Sequence, residues 1–558
     1  MAKKVLDLDL IVQPESLALQ IAAKYNNWKD GRRLKEQQSQ EVLQYVFATD
    51  TTTTTNASLP WKNKTTRPKL CQIRDNLKAN YMSALFPNED WFMWEAGDQE
   101  SANKDKKKAI EAYMKHIFAN SKLEFTVGQL LDDWIDYGNC FADVEIINDK
   151  TTIGANEISI YTGPKLKRIS PLDIVFDITA PDFDQAACIT RTLMSIGQLH
   201  KMRLTSPEYA KIADEVLIKI KNNRYAVVGQ GKGYTYDQDK AARLTADGFA
   251  VLADYYTSGS VELLEFEGDY FDVESGTLYE NYRIVVLDRA YVVIKEPIVN
   301  WTGTRYKRHC GWRSRPDNAW AMGPLDNLVG LQYRIDHLEN LKSDVFDMIA
   351  YPMTITKGYV EDFVYGPGEV VVADETASVE HLRPDATALN ADFQIAQYEN
   401  SMEELAGAPR TAMGIRTPGE KTAFEVQTLD NAAGRLFQSK ISYFEKFFLE
   451  PLMNAMLEVG RRNLDQNVVV ATMSEDFGYQ EFLSITRQDV TAKGRLTPVG
   501  ARHFATQAAL VQNVVQLSNT GLYQDPAVQA HLSSKGLARI ITDALRLDKY
   551  RIYGDNIR

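Results

Sequence analysis

Cysteine is scarce in this chain, and so are the signatures of most enzymes. The four cysteines, Cys71, Cys140, Cys188 and Cys310, lie far apart and form no CxxC pair. Neither a disulfide framework nor a zinc ribbon is expected from them, and buried reduced thiols are. The seven histidines stand singly, with no HExxH and no His-x-His, so the paired ligands of a zinc hydrolase are missing. GxSxG does not occur, which leaves a serine nucleophile elbow unsupported. The glycine-rich stretch Gly229-Gln-Gly-Lys-Gly233 places glycine, not serine or threonine, after its lysine. It reads as a surface loop, not as a phosphate cradle. No window approaches the ~18 apolar residues of a membrane span. Aspartates stand near the start, in Leu6-Asp-Leu-Asp-Leu10, where a signal peptide needs an apolar run. A soluble protein made in a reducing cytoplasm is expected, with no membrane partner, no metal and no cofactor.

Basic charge is also in short supply. The net charge of −12 argues against a general cationic surface for gripping nucleic acid, although an acidic protein can handle DNA without gripping it. At 558 residues, with 44% hydrophobic, 25% charged and 10% aromatic residues, the chain has material for a large core and several lobes.

Periodicity predicts an α+β protein, with helices towards both ends and β modules between. Residues 15–47 are helical with an interruption at Gly31, and Thr51 to Thr55 is a turn or hairpin tip. A helix from Pro68 to Leu85 leads into an aromatic packing corner at Tyr81–Trp91, and two more helices lie near 102–120 and 124–138. Strands follow at 140–147 and in a strand-turn-strand at 165–178, then helices near 195–203 and 208–221. Val261 to Ile298 reads as an antiparallel meander with turns at Glu267–Asp269 and Asp288–Arg289. Asp132, Asp133, Asp177, Asp182 and Asp184 are assigned to turns and caps in preference to a metal site. The densest basic and aromatic segment, Arg305 to Arg315, is a candidate contact for nucleic acid or an acidic neighbour.

The stretch Gly323–Pro451 organises the rest. Leu328, Leu331, Ile335, Leu338, Leu341, Val345 and Met348 recur at steps of three and four, an apolar stripe on a helix from Pro324 to the stop before Pro352. A Val-rich module follows, punctuated by Gly358 and Gly366-Pro-Gly368, then an acidic helix near Asp392–Leu405. Next is the loop Gly407–Lys421, with Gly407, Gly414 and Gly419 as hinges. A second long helix starts at Thr422, in which Gly434 and Pro451 are causes of bending. Asp336, Glu339, Asp344, Asp392, Glu399, Glu403 and Glu404 form an acidic face, and Arg410, Arg416 and Lys421 return positive charge at the loop. One reading is an acidic face that repels phosphates, with cations grouped at the loop. The plainer alternative is that these acids are solvated or salt-bridged to neighbours.

The order of these parts resembles the portal proteins of tailed bacteriophages, particularly the short-tailed ones. The resemblance rests on Arg67-Pro-Lys-Leu70 with Asn80-Tyr-Met-Ser-Ala-Leu-Phe-Pro87, on Ser170-Pro-Leu-Asp-Ile-Val-Phe-Asp177, and on Gly323-Pro-Leu-Asp-Asn-Leu328. Most specific is Ala408-Pro-Arg-Thr-Ala-Met-Gly-Ile-Arg-Thr-Pro-Gly-Glu-Lys-Thr-Ala-Phe-Glu425. It implies a wing (1–322), stem helices at 323–350 and 392–406 flanking a clip (351–391), and a tunnel loop (407–421). A long kinked helix with a wing return (422–497) and a helical crown (498–558) complete it. Such proteins are rings, normally of twelve copies, at the capsid vertex of the virion. They are assembled in the host cytoplasm, pass double-stranded DNA, and dock a terminase and then tail adaptor proteins beside capsid and scaffolding proteins. The resemblance makes the acidic face a channel wall that repels phosphates, with Arg410, Arg416 and Lys421 as a cationic ring at its constriction. No catalysis is implied. The alternatives are another virion structural protein, such as a tail adaptor, and a nucleic-acid enzyme with an unrecognised site.

Overall fold

In the computed structural model, residues 16–87, 91–98, 104–153, 156–177, 179–212, 260–272, 276–300, 305–316, 318–358, 376–382, 390–406, 436–464, 468–473 and 480–499 are described, with positions 218 and 303. The architecture is α+β, with helices packed on antiparallel sheets.

Helix α1 (Ser16–Gly31) buries Ala18, Ile21, Ala22 and Tyr25 at the spacing of one helical face. The break predicted at Gly31 is real, and it has a use. Arg32, between α1 and α2 (Arg33–Val46), is buried and donates to the carbonyls of Pro171, Leu172 and Ile174. A continuous helix would not aim it there. The threonine run predicted as a turn or hairpin tip instead forms two short 3₁₀ turns, Thr51–Thr53 and Thr55–Ser58. Thr51, Thr54 and Asn56 are buried within them.

Helices α3 (Lys69–Leu85), α4 (Lys104–Asn120) and α5 (Leu123–Asp136) build the main core. Leu123, Val127, Leu130, Leu131, Trp134 and Ile135 of α5 are all buried there. The aromatic corner packs as expected: Phe86, Trp91, Phe92 and Phe118 meet at centroid distances of 4.9 to 5.4 Å. Asp132 and Asp133 are neither caps nor turn residues. They take ion pairs from Arg74, Lys78 and Arg168 across α3, α5 and the next sheet. Asp177 and Asp182 do close local turns, onto Thr179 N and Asp184 N.

That next sheet runs β3-β2-β9, with β2 at Asn139–Ile153, β3 at Asn156–Ile169 and β9 at Arg308–Gly311. A second sheet runs β4-β5-β6-β7-β8: Ile174–Phe176, Cys188–Ser195, Ser260–Asp272, Thr277–Leu287 and Tyr291–Pro297. Alternation sorts its side chains. Leu264, Phe266, Ile284 and Val286 pack under α1, while Leu263, Val285, Leu287 and Ile294 pack under α6 (Ile196–Thr205). The predicted turn at Glu267–Asp269 is a bulge inside β6. Gly268 (φ 137°) presses against Ala187, where a Cβ would sit 2.7 Å away, and the strand continues. The turn at Asp288–Arg289 is as expected, both residues having positive φ (47° and 58°).

The predicted stem helix begins later than its sequence pattern. Helix α7 spans Val329–Ala350, 22 residues or about 33 Å. Asp326, which pairs with Lys35, accepts from Gly323 N and holds the preceding residues in a turn. Beyond α7 a two-stranded ribbon pairs β12 (Met353–Lys357) with β13 (Ser378–Leu382), and α8 covers Asp392–Ala406. The long helix is described from 436 to 462 as α9. It opens into a wide turn at Glu445–Leu449, where Glu450 N bonds to Glu445 O, before resuming as Glu450–Arg462. Pro451 has no N–H to give, and its ring crowds the carbonyl four residues back, so the bend expected there takes the form of a wider turn. Gly434 lies outside the described residues. Near the end of the described residues, strand β16 (Gly494–Pro498) pairs with β1 (Phe92–Ala96).

Candidate functional site

Helices α7 and α8 lie against an irregular segment, residues 62–68, and the first turn of α3, and most acidic residues of the candidate wall converge there. Gln332, Asp336, Asn340 and Asp344 recur every fourth residue along α7, so they share one face. Each engages main chain of the segment. Gln332 donates to Arg67 O (2.6 Å) and accepts from Leu70 N (3.3 Å). Asp336 accepts from Arg67 N (3.1 Å), Thr66 Oγ1 (2.9 Å) and Gln332 Nε2 (2.9 Å). Asn340 both accepts from Thr65 N (2.8 Å) and donates to Thr65 O (2.7 Å). Asp344 accepts from the main-chain N–H groups of Lys62 (3.1 Å) and Asn63 (3.0 Å). Side chains of a helix thus do for this segment what a neighbouring strand would do.

This corrects the acidic wall. Asp336 is fully buried and cannot face a channel; burial pushes its carboxyl up to about 6, against three donated hydrogen bonds. Glu403 is buried and takes Lys69 at 2.5 Å. Glu399 and Glu339 lie 3.4 and 4.0 Å from Arg67, and Asp392 takes Lys342 at 2.6 Å. Glu404 is exposed. For most of the seven acids the plainer alternative, pairing with neighbours, is what the geometry gives. The regular run of amides and carboxylates every four residues was the available signal. It was masked because polar residues in mid-helix ordinarily mark the wet face.

The apolar stripe divides along its length. Leu328 and Ile335 are fully buried, and Leu331 and Leu338 pack against the core. Farther out, Leu341, Phe346, Met348, Tyr351, Met353 and Ile355 are exposed, with Tyr351 at 76%. Phe393, at the start of α8, is 78% exposed.

Arg410, Arg416 and Lys421, with the hinges Gly407, Gly414 and Gly419, lie outside the described residues. The basic segment 305–315 turns mostly inward: Arg305 donates to Phe183 O and Ala186 O, and buried Lys307 pairs with Glu267 at 2.8 Å. Arg313 and Arg315 remain exposed. Among the described residues, no group of His, Cys, Asp and Glu is placed to hold a metal ion, and no helix is long and apolar enough to cross a membrane. Cys140, Cys188 and Cys310 are buried free thiols, and Cys71 is a half-buried one. No protein-family model matches the chain, and neither does any curated protein.

Proposed function

We propose that this chain is the subunit of a ring-shaped portal of a tailed bacteriophage, of the short-tailed type. The observation that carries the reading is the outer part of α7 and the ribbon it runs into. A two-stranded ribbon is marginal in water on its own, and β12 has almost no buried side chain. The exposed apolar residues from Leu341 to Ile355 need a cover of matching chemistry. A ring supplies it from neighbouring copies, each ribbon edge meeting the next. The motif order at 67–87, 170–177, 323–328 and 408–425 supports the same reading. In it, the ring sits at the capsid vertex of the virion, passes double-stranded DNA during packaging and ejection, and engages a terminase and later tail adaptors. Charge on the channel side then falls to exposed acids such as Glu404 and not to Asp336 or Glu403.

Negative-stain imaging with light scattering tests this. Closed rings with a central hole are expected for the purified protein. The double variant Tyr351→Asp, Met353→Asp is expected to lose them while keeping its far-ultraviolet circular dichroism. A monodisperse monomer at roughly ten micromolar would count against the ring.

A further inference from the structure

Two of the four cysteines, 170 residues apart in the chain, stand face to face in the sheet β3-β2-β9. The register of β2 against β9 sets Asn139 opposite Gly311, Cys140 opposite Cys310 and Phe141 opposite His309. Residues directly opposite in an antiparallel pair send their side chains to the same face. Both thiols accordingly enter the main core, Cys140 fully buried and Cys310 1% exposed. Cys140 Sγ donates to Cys310 O at 3.7 Å. Just beyond this ladder Trp312 N donates to Gly138 O at 2.8 Å, which makes 138 and 312 a hydrogen-bonded pair. Alternation then makes 140 and 310 another. Such pairs hold their Cα atoms about 5.5 Å apart, inside the roughly 4.4–6.8 Å that a disulfide spans.

We propose that Cys140 and Cys310 form a thiol-oxidation site, closing a disulfide between β2 and β9 by exchange with a small-molecule disulfide. The Cys310 thiolate attacks one sulfur of that molecule and expels its other half as a thiol. The Cys140 thiolate then attacks the Cys310 sulfur of the mixed disulfide and expels the second half. Two protein thiols and one small disulfide become one protein disulfide and two small thiols, so the exchange balances without a further oxidant.

The fold decides the order of events. β9 is a four-residue strand at the edge of its sheet, so it can part from β2 while the long β2–β3 ladder stays intact, and Cys310 leaves with it. While the strands are closed, burial holds the Cys140 thiol well above its ordinary pKa and so keeps it unreactive. The other two cysteines lack a cysteine neighbour. Cys188 on β5 stands opposite Phe176 and Glu267, and Cys71 on α3 donates to Asp75. Once made, the bond encloses β3 to β8 in one covalent loop and fastens the edge strand that the chain passes through on its way to α7. The reduced protein can release that strand, and the oxidised protein cannot. The site is independent of the ring.

Incubating the folded full-length protein with oxidised glutathione, then trapping remaining thiols with N-ethylmaleimide in urea, tests the site. Intact mass and peptide mapping are expected to show two of the four thiols protected in most chains, with a peptide pair joining Cys140 to Cys310. Dithiothreitol should release that pair. Cys140→Ser and Cys310→Ser should each abolish the link, and Cys71→Ser should leave it intact, with circular dichroism checking that every variant is folded. Four trapped thiols after prolonged exposure would overturn the proposal. So would a glutathione adduct left unresolved on either residue, or a link made through Cys71, through Cys188 or only between chains.

Discussion

Asp336→Ala is expected to lower the free energy of unfolding by roughly 3 kcal/mol or more. The substitution strands three donors, Arg67 N, Thr66 Oγ1 and Gln332 Nε2, in a place that excludes water. Each unsatisfied buried group costs about 1–3 kcal/mol. Urea unfolding measures the loss, and limited proteolysis should show new cleavage within 62–68. A cost below about 1 kcal/mol would mean that the ladder does not hold the segment. Asp336→Asn keeps an acceptor and the shape, and its cost should depend on pH. Burial raises the folded carboxyl to about 6 from its ordinary 3.8. The native state therefore holds the proton more tightly between those values, and ionisation works against the fold as pH rises through them. The neutral asparagine escapes that penalty, so its disadvantage relative to aspartate should shrink from pH 4 to pH 6.

The second large effect is expected at Gly138, where α5 hands over to β2. Its φ is +71°, and a Cβ there would lie 2.3 Å from Gly323 N and 2.5 Å from Met322 C. Both are main-chain atoms held in place: Trp312 N donates to Gly138 O (2.8 Å), and Asn139 bonds Ala321 through both its carbonyl oxygen and its amide. Gly138→Ala combines left-handed strain of about 1–2 kcal/mol with a clash that only backbone movement relieves. A loss of roughly 3 kcal/mol or more in thermal or urea unfolding is expected, or failure to fold. Gly330→Ala is the control. Nothing lies within 4 Å of its Cβ position, and it sits in α7. That change should stabilise by about 0.4–1 kcal/mol.

These two sites show what the sequence could and could not disclose. The α+β class, the helices of the first 140 residues, the meander and the Asp288–Arg289 turn were legible because their causes are local: period, caps and turn chemistry. Asp336 was not. Its donor Thr66 is 270 residues away in the chain, and no window on the sequence contains both. Lys307 misled for the same reason. In sequence it belongs to a basic run, while in space it belongs to the acids of β2 and β6. The bulge at Gly268 was misread as a turn because a lone glycine between polar residues serves either purpose, and only Ala187 behind it decides.

The wide turn at Glu445–Leu449 makes α9 a splice of two helical phases. One added residue without an added turn rotates everything downstream by roughly 100° about the axis. Ile441, Phe444 and Phe448 before and within the turn, and Leu452, Met453 and Met456 after it, all reach the same core. In a regular helix Met453 would stand about 120° from Ile441, and the wide turn brings it to within about 20°. The turn holds one residue more than a regular helix would use. Removing one residue across 445–449 would therefore leave the two apolar sets in phase, but it would set the Pro451 ring against the carbonyl of an unwidened turn.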